Sequence, residues 1–338
     1  MEKSSIVHQY YDAFFNKHGQ TALPSHLKTL NSIRRCRTPS SGELYVKCPD
    51  CDFAEWRPLS CGNRNCPKCQ NHLASQWIEK QQVKLLPYEL RSFAWRNQKL
   101  AYALLFTCVS SILKDFGKRS KNLGADMGMT MVLHTNNRRL DFHPHIHAVV
   151  PGGGMDKRSC QWKQVKGDYL FHHKALAKVF RARFLAALKE TGSHIPKKLP
   201  AKWVVDCSSV GKGIIALKYL SQYLYRGVIS EKNIISNKNG FITFGYTESG
   251  TKKTKYRTLE GEDFLQLIMQ HVLPRGFRRV RDYGFLHGNA KRLRSLIQLI
   301  LRVRIPPIIP TPRPAFKCSC YQAAMIVMAF RRNGGKPG

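Results

Sequence analysis

Residues 142–154 read FHPHIHAVVPGGG, placing His143, His145 and His147 at alternate positions before an apolar run and a glycine-rich stop. On an extended strand, residues two apart share a face, with side-chain bases roughly 7 Å apart. Two imidazoles at that distance can converge on one ion. The outer pair, His143 and His147, is about twice as far apart and cannot share a metal without distortion. His145 and His147 are the expected chelating pair, because His-Ile-His leads directly into the apolar run. Pro144 cannot donate to a sheet ladder, so His143 is expected at the strand's entrance. Surface or core histidines are the bland reading, and a lone His-x-His does not exclude it.

The segment KYLSQYLYR (218–226) adds a second chemistry. Tyr219 and Tyr223 are four apart, hence on one helical face and about 6 Å from each other, while Tyr225 points elsewhere. Two aromatics in a core stripe would look the same. A phenol can also be a nucleophile. If an ion on two histidines polarises a DNA phosphate, a tyrosine can attack and retain the strand as a 5′-phosphotyrosine. The bond energy is conserved, so the released 3′-hydroxyl can reverse the reaction.

Six of the eleven cysteines lie between Cys36 and Cys69. CPDCDFAEWRPLSCGNRNCPKC carries two Cys-x-x-Cys pairs, Cys48/Cys51 and Cys66/Cys69. Two such knuckles complete a tetrahedral structural zinc site. Cys61 and Cys36 are surplus: either can replace a knuckle ligand or join a second, incomplete site. Interleaved prolines and charged residues argue against thiols that merely pack. The basic neighbours Arg57, Arg64 and Lys68 suggest DNA contact.

The whole chain supports a polyanionic partner. Its 56 Lys+Arg against 21 Asp+Glu leave a net charge of +35, spread along 338 residues. That excess repels itself in the compact state, and nucleic acid is the partner that best relieves it. A polybasic membrane-surface protein would need an anchor, and the sequence shows none. The N-terminus is not a signal peptide, and no stretch approaches the roughly 20 apolar residues of a membrane span. The expectation is a cytoplasmic protein with no membrane partner, its thiols reduced or metal-bound. A His-x-His hydrolase of small molecules fits poorly, because Asp141 is the lone carboxylate near the histidines.

The elements that must position these groups can be read from periodicity. Residues 1–35, 71–86, 96–116, 174–192 and 213–227 read as helices, and a further helix is stopped by Pro274. Strands are expected at 127–135 and 145–153, paired antiparallel through a turn at Asn136–Asn137. A short strand is expected at 202–208, and FITFGYT with KTKYRTLE suggests a hairpin. This mixture is α+β, with antiparallel strands.

Four motifs in order resemble the HUH-superfamily transposases of rolling-circle insertion sequences, the two-tyrosine kind with an N-terminal zinc-binding domain. They are SCGNRNCPKCQ (60–70), VLHTNNRRLDFHPHIHAVVPGGG (132–154), KYLSQYLYRGVIS (218–230) and HVLPRGFRRVRDYG (271–284). The resemblance runs from about residue 30 to 290. It implies an HUH-endonuclease domain with a central antiparallel sheet flanked by helices, behind a small zinc-binding domain. It implies nicking and transfer of single-stranded DNA through Tyr219 and Tyr223, with Mg²⁺ or Mn²⁺ on His145 and His147. A third ligand is implied, either His134 or Gln222. Structural Zn²⁺ is implied among Cys48, Cys51, Cys61, Cys66 and Cys69. The basic residues, Lys218 and Arg226 included, would grip phosphates while aromatics stack bases.

The sequence also departs from that family. KLLP (84–87) passes directly to YELRSFAWRNQK, where the family has a further strand ending in a Phe-Thr-Leu-Pro-like run; its loss would expose one edge of the catalytic sheet. Asn65 and Glu43 stand where the family's zinc motif commonly has histidine. CSCY (318–321) is a reduced version of a small Cys-x-x-Cys-like motif. The expected organisation is a helical and zinc-binding region over 1–86, a nuclease domain over 87–290, and a basic, proline-rich tail over 291–338. The alternative is a transposase remnant that binds DNA without catalysis.

Overall fold

The computed structural model describes residues 3–70, 90–121, 123–165, 170–193, 195, 199–207, 228–248, 251, 253–303 and 315–331. Helices expected at 71–86 and 213–227 lie outside the described residues.

The main core is a sheet with helices on one face. Strands β3 (Met129–Asn136) and β4 (Phe142–Val149) pair antiparallel, and β10 (Val280–Tyr283) pairs antiparallel with β3 on its other side. The order is therefore β10-β3-β4, and among the described residues β4 has one neighbour. Strand alternation gives each face its own chemistry. Met129, Met131, Leu133, Ile146 and Ala148 face helices α5 (Gln98–Arg119) and α6 (His173–Glu190), and all are buried in one core. The opposite face carries His134, His145 and His147.

Helix α5 forms because apolar residues recur at a helical turn, with Ala101, Tyr102, Leu105, Phe106, Val109, Ile112 and Leu113 all buried. By length and composition it could cross a membrane, but these residues pack into the core instead. Helix α6 ends at Thr191, and Gly192 follows at φ 68°, the left-handed conformation that glycine tolerates.

The β3–β4 turn is held by one side chain. Asn137 Oδ1 accepts from the backbone N–H of Arg139 and of Asp141, so an asparagine side chain does the work of a backbone turn. Beyond the turn the register passes from Asn136↔Phe142 to His134↔His145. His143 and Pro144 thus oppose Thr135 alone, which is a bulge. The bulge absorbs a residue with no N–H, so the strand extends back through Pro144 to Phe142.

A second core joins the N-terminal helices to a distant sheet. Helices α1 (Lys3–His18) and α2 (Pro24–Arg35) pack with the β7 (Ile234–Lys238), β8 (Phe241–Thr247), β9 (Thr254–Glu260) sheet and helix α7 (Gly261–Met269). The expected hairpin is the β8–β9 pair. Gly261 lets α7 approach α1, since a Cβ there would lie 2.2 Å from the Tyr10 ring. Tyr10 OH donates to Asn237 Oδ1 at 2.6 Å, and Lys17 Nζ meets Glu260 at 2.5 Å and Asp263 at 3.1 Å. This core mixes residues 6–66 with 229–272, so the packing crosses the boundary expected near residue 86.

Two expectations change. Residues 202–207 form no strand: Trp203 and Val205 are buried alternately against α6, but among the described residues no ladder partner reaches them. Within the expected tail, Lys291–Ile300 is a helix, α8, and Ile326–Arg331 is a strand, β11. Strand β11 returns to the start of the chain, completing the order β11-β1-β2 with β1 (Glu43–Lys47) and β2 (Ala54–Pro58).

Candidate metal centres

The sheet brings His134, His145 and His147 together, with their possible ligand atoms all within 4.8 Å of one another. Register explains this: His134 is directly opposite His145, and His147 is the next residue on the same face. Ring centroids are 4.0 Å apart for His134 and His147, 4.8 Å for His145 and His147, and 5.3 Å for His134 and His145. All three are buried, at 9, 5 and 2 % exposure for His134, His145 and His147. His143 lies at the bulge, and its carbonyl is 2.7 Å from His145 Nδ1. A carbonyl only accepts, so His145 carries its proton on Nδ1 and presents Nε2 as the lone pair.

Burial, reinforced by His147, His145 and Arg279, holds the His134 imidazole well below its ordinary pKa, and hence neutral. Neutral imidazole is the form that ligates metal. Arg279 sits against this strand, its carbonyl accepting from Leu133 N at 2.9 Å. Burial and then the charge of Arg64 push its guanidinium down to about 10, so it still carries its charge at neutral pH. Arg64 itself donates to the Phe277 carbonyl at 3.2 Å and thereby reaches the same segment. Buried positive charge beside three imidazoles suits an anionic oxygen better than a neutral substrate.

The cysteines form two groups. Cys36, Cys61, Cys66 and Cys69 have sulfurs within 4.8 Å of one another, with Cys36–Cys69 and Cys61–Cys69 each 3.6 Å apart. A tetrahedral Zn–S bond of about 2.3 Å gives edges of about 3.8 Å, so the four sulfurs fit one zinc. The close approach of Cys61 and Cys66 lowers the pKa of the Cys66 thiol and raises that of Cys61. Such a cluster shares its protons until a cation removes the repulsion.

The expected pairing of Cys48/Cys51 with Cys66/Cys69 around one ion is therefore corrected. Cys48 and Cys51 lie at the tip of the β1–β2 hairpin, whereas Cys36 and Cys61 flank its base, where Arg37 N donates to Leu59 O. Five residues of strand separate tip from base, roughly 17 Å. Cys36 is no surplus thiol, and Cys48 and Cys51 group instead with Cys318. Cys318 is 267 residues from Cys51, a separation at which spacing carries no signal.

Other expected residues have local roles. Arg57 is ion-paired with Glu55 at 2.5 Å, and Lys68 offers its carbonyl to Arg37 at 3.2 Å. Tyr219, Tyr223, Gln222, Lys218 and Arg226 lie outside the described residues.

The comparisons match these regions. Residues 6–94 match the transposase zinc-binding domain family of the IS91 type, and residues 128–294 match the Y2_Tnp transposase family. The transposase-named protein y4qJ of Sinorhizobium fredii is 29% identical, covering 93% of this chain and 87% of that protein. The transposase for insertion sequence element IS801 of Pseudomonas savastanoi pv. phaseolicola is 26% identical, covering 77% of this chain and 70% of that protein. No solved structure matches. With the thiol cluster inside the first segment and the three histidines inside the second, the chain belongs to the insertion-sequence transposases that join an IS91-type zinc-binding domain to a Y2-type transposase domain.

Proposed function

We propose that this transposase nicks single-stranded DNA and transfers the cut strand through a 5′-phosphotyrosine, with Tyr219 and Tyr223 as its two nucleophiles. The observation that carries the reading is the convergence of His134, His145 and His147 on one buried face of β3 and β4. A divalent ion there would polarise the scissile phosphate. An all-imidazole set accepts Mn²⁺ more readily than Mg²⁺, which prefers oxygen donors. Arg279 and Arg64 supply positive charge to the phosphate.

In each cleavage a tyrosine oxygen forms a bond to phosphorus and the bond from phosphorus to the 3′-oxygen breaks. The phenol proton goes to solvent, and the leaving oxygen takes one up as a 3′-hydroxyl. Two tyrosines allow a second cleavage before the first strand is released. Cys36, Cys61, Cys66 and Cys69 hold structural zinc, and Arg57, Arg64, Lys68, Lys218 and Arg226 contact DNA. Residues 1–86 and 87–290 divide the zinc-binding and nuclease roles.

The test is an adduct assay on single-stranded DNA carrying an element end, with Mn²⁺ or Mg²⁺ added. A covalent protein–oligonucleotide species should form, with Mn²⁺ the better ion. Tyr219→Phe with Tyr223→Phe should abolish it and leave DNA affinity intact. One observation favours a second reading, a DNA-binding protein without catalysis: β4 has one neighbour among the described residues. DNA binding with no adduct under either ion would establish that reading and reject the nuclease.

A further inference from the structure

At the tip of the β1–β2 hairpin, Cys48, Cys51 and Cys318 bring three sulfurs within 4.8 Å of one another. Cys318 lies beyond both matched family segments, which end at residues 94 and 294. The two pieces of chain that meet there are built alike. Cys48 N donates to Phe53 O at 2.9 Å, and Cys318 N donates to Ala323 O at 2.9 Å, each five residues on. Asp50 N donates to Cys48 Sγ at 3.4 Å, and Cys320 N to Cys318 Sγ at 3.4 Å, each two residues on. Both are knuckles, in which backbone N–H groups turn toward a sulfur and favour its thiolate.

The correspondence fails at one position. In the first knuckle the second sulfur comes three residues on, at Cys51. In the second knuckle that place belongs to Tyr321, which is 66% exposed, and Cys320 stands one residue early on an exposed turn.

Packing does little to hold this corner. The buried cluster is Val46, Cys48, Cys318 and Met325. The partner strand β11 leaves Ile326, Val327, Met328 and Phe330 half exposed or more. Arg331 adds an ion pair with Glu43 and lies 4.5 Å above the Trp56 ring, both at the far end of the strand. A small apolar cluster does not by itself explain a fully buried thiol at its centre. The Cys51–Cys318 sulfur separation, 3.7 Å, is the edge expected of a zinc tetrahedron, about 3.8 Å.

We propose that Cys48, Cys51 and Cys318 hold a second zinc ion that fastens the C-terminal strand to the zinc-binding module, with the fourth coordination position open because Tyr321 replaces the last thiolate. The site differs in kind from the Cys36, Cys61, Cys66, Cys69 cluster, which supplies four sulfurs from a continuous stretch of chain. An ion with three protein ligands exchanges faster than one with four.

The experiment counts zinc in the full-length protein by native mass spectrometry and follows its release to a chromogenic chelator. Wild type should carry two zinc ions, one released fast and one slowly. Cys318→Ser should carry one and lose the fast phase. Cys320→Ser should keep both. Tyr321→Cys should restore the missing thiolate and slow the fast phase by at least about tenfold, a gain that does not depend on a damaged variant folding. A single zinc in wild type, two in Cys318→Ser, a disulfide between Cys51 and Cys318 in protein kept reduced, or an unchanged fast phase in Tyr321→Cys would overturn the proposal. Loss of zinc from Cys320→Ser would overturn the open position.

Discussion

The three-histidine centre and the four-thiol cluster are both candidate metal sites, yet they are assembled in opposite ways. The histidines stand on adjacent strands of a sheet whose other face is packed under two helices. Their spacing is set by the pleat, and strand pairing with the packed core holds the scaffold. The thiols come from the end of α2, the base of a hairpin and the start of a single helical turn at Pro67–Gln70. No strand ladder joins all of those pieces, and beyond the core contacts of Cys36 and Cys66 a zinc ion would tie them together. On the proposed function a metal would be a reagent at one site and a structural member at the other.

Removing a ligand from each site is the sharpest way to break this comparison. Cys66→Ser should have the largest effect. Structural zinc contributes roughly 10–16 kcal/mol of apparent binding energy in small zinc peptides, so loss of one ligand should cost more than about 3 kcal/mol here. Circular dichroism melts and limited proteolysis should show residues 3–70 opening, since Cys36 and Cys66 also sit in the apolar core shared with α1 and α7. A variant that melts like wild type would mean the thiols merely pack.

His147→Ala should do the reverse. Adduct formation should fall by more than about 100-fold, beyond the effect that even the outer partners of metal ligands have. Its melting temperature should change little when zinc is present, because the core face of the sheet is untouched. A collapse of the fold on this substitution would erase the distinction between reagent and structural member.

The smallest effect should come from the junction of the two regions. His26 on α2 is fully buried against the Trp95 ring, 5.4 Å between centroids, and Trp95 in turn touches Phe142 at the start of β4. Both its ring nitrogens lack partners among the described residues. Burial pushes its pKa from 6.5 down to about 4. The unfolded chain therefore takes up a proton that the folded one refuses, and stability falls as pH drops from about 6.5 toward about 4. The loss should reach roughly 2–3 kcal/mol at the lower end. His26→Phe should flatten that part of the pH–stability curve, measured by urea unfolding; an unchanged curve would assign the acid sensitivity elsewhere.

Much of the fold was legible because period and burial agreed. Helix α5, the β3–β4 pair and its asparagine turn, the β8–β9 hairpin and the Gly192 cap all follow local rules. His145 and His147 were readable for the same reason, since strand alternation alone puts them on one face. His134 could be offered only as one of two candidates, because the register of β3 against β4 depends on a bulge at Pro144. The expected strand at 202–208 failed because alternating burial is necessary for a strand but does not supply a hydrogen-bonding partner. The cysteine pairing failed because spacing does not reveal that two knuckles stand at opposite ends of one hairpin.

By itself the sequence determined what this protein can be made of: its charge, its local elements, its thiols and its strand of histidines. These are properties of residues and near neighbours, and periodicity exposes them. Tertiary structure decided which distant groups come together as candidate ligands: His134 with His145 and His147, Cys36 with Cys66, and Cys318 with Cys48. Such contacts depend on register, hairpin length and the return of the chain's end to its beginning, none of which a local pattern encodes.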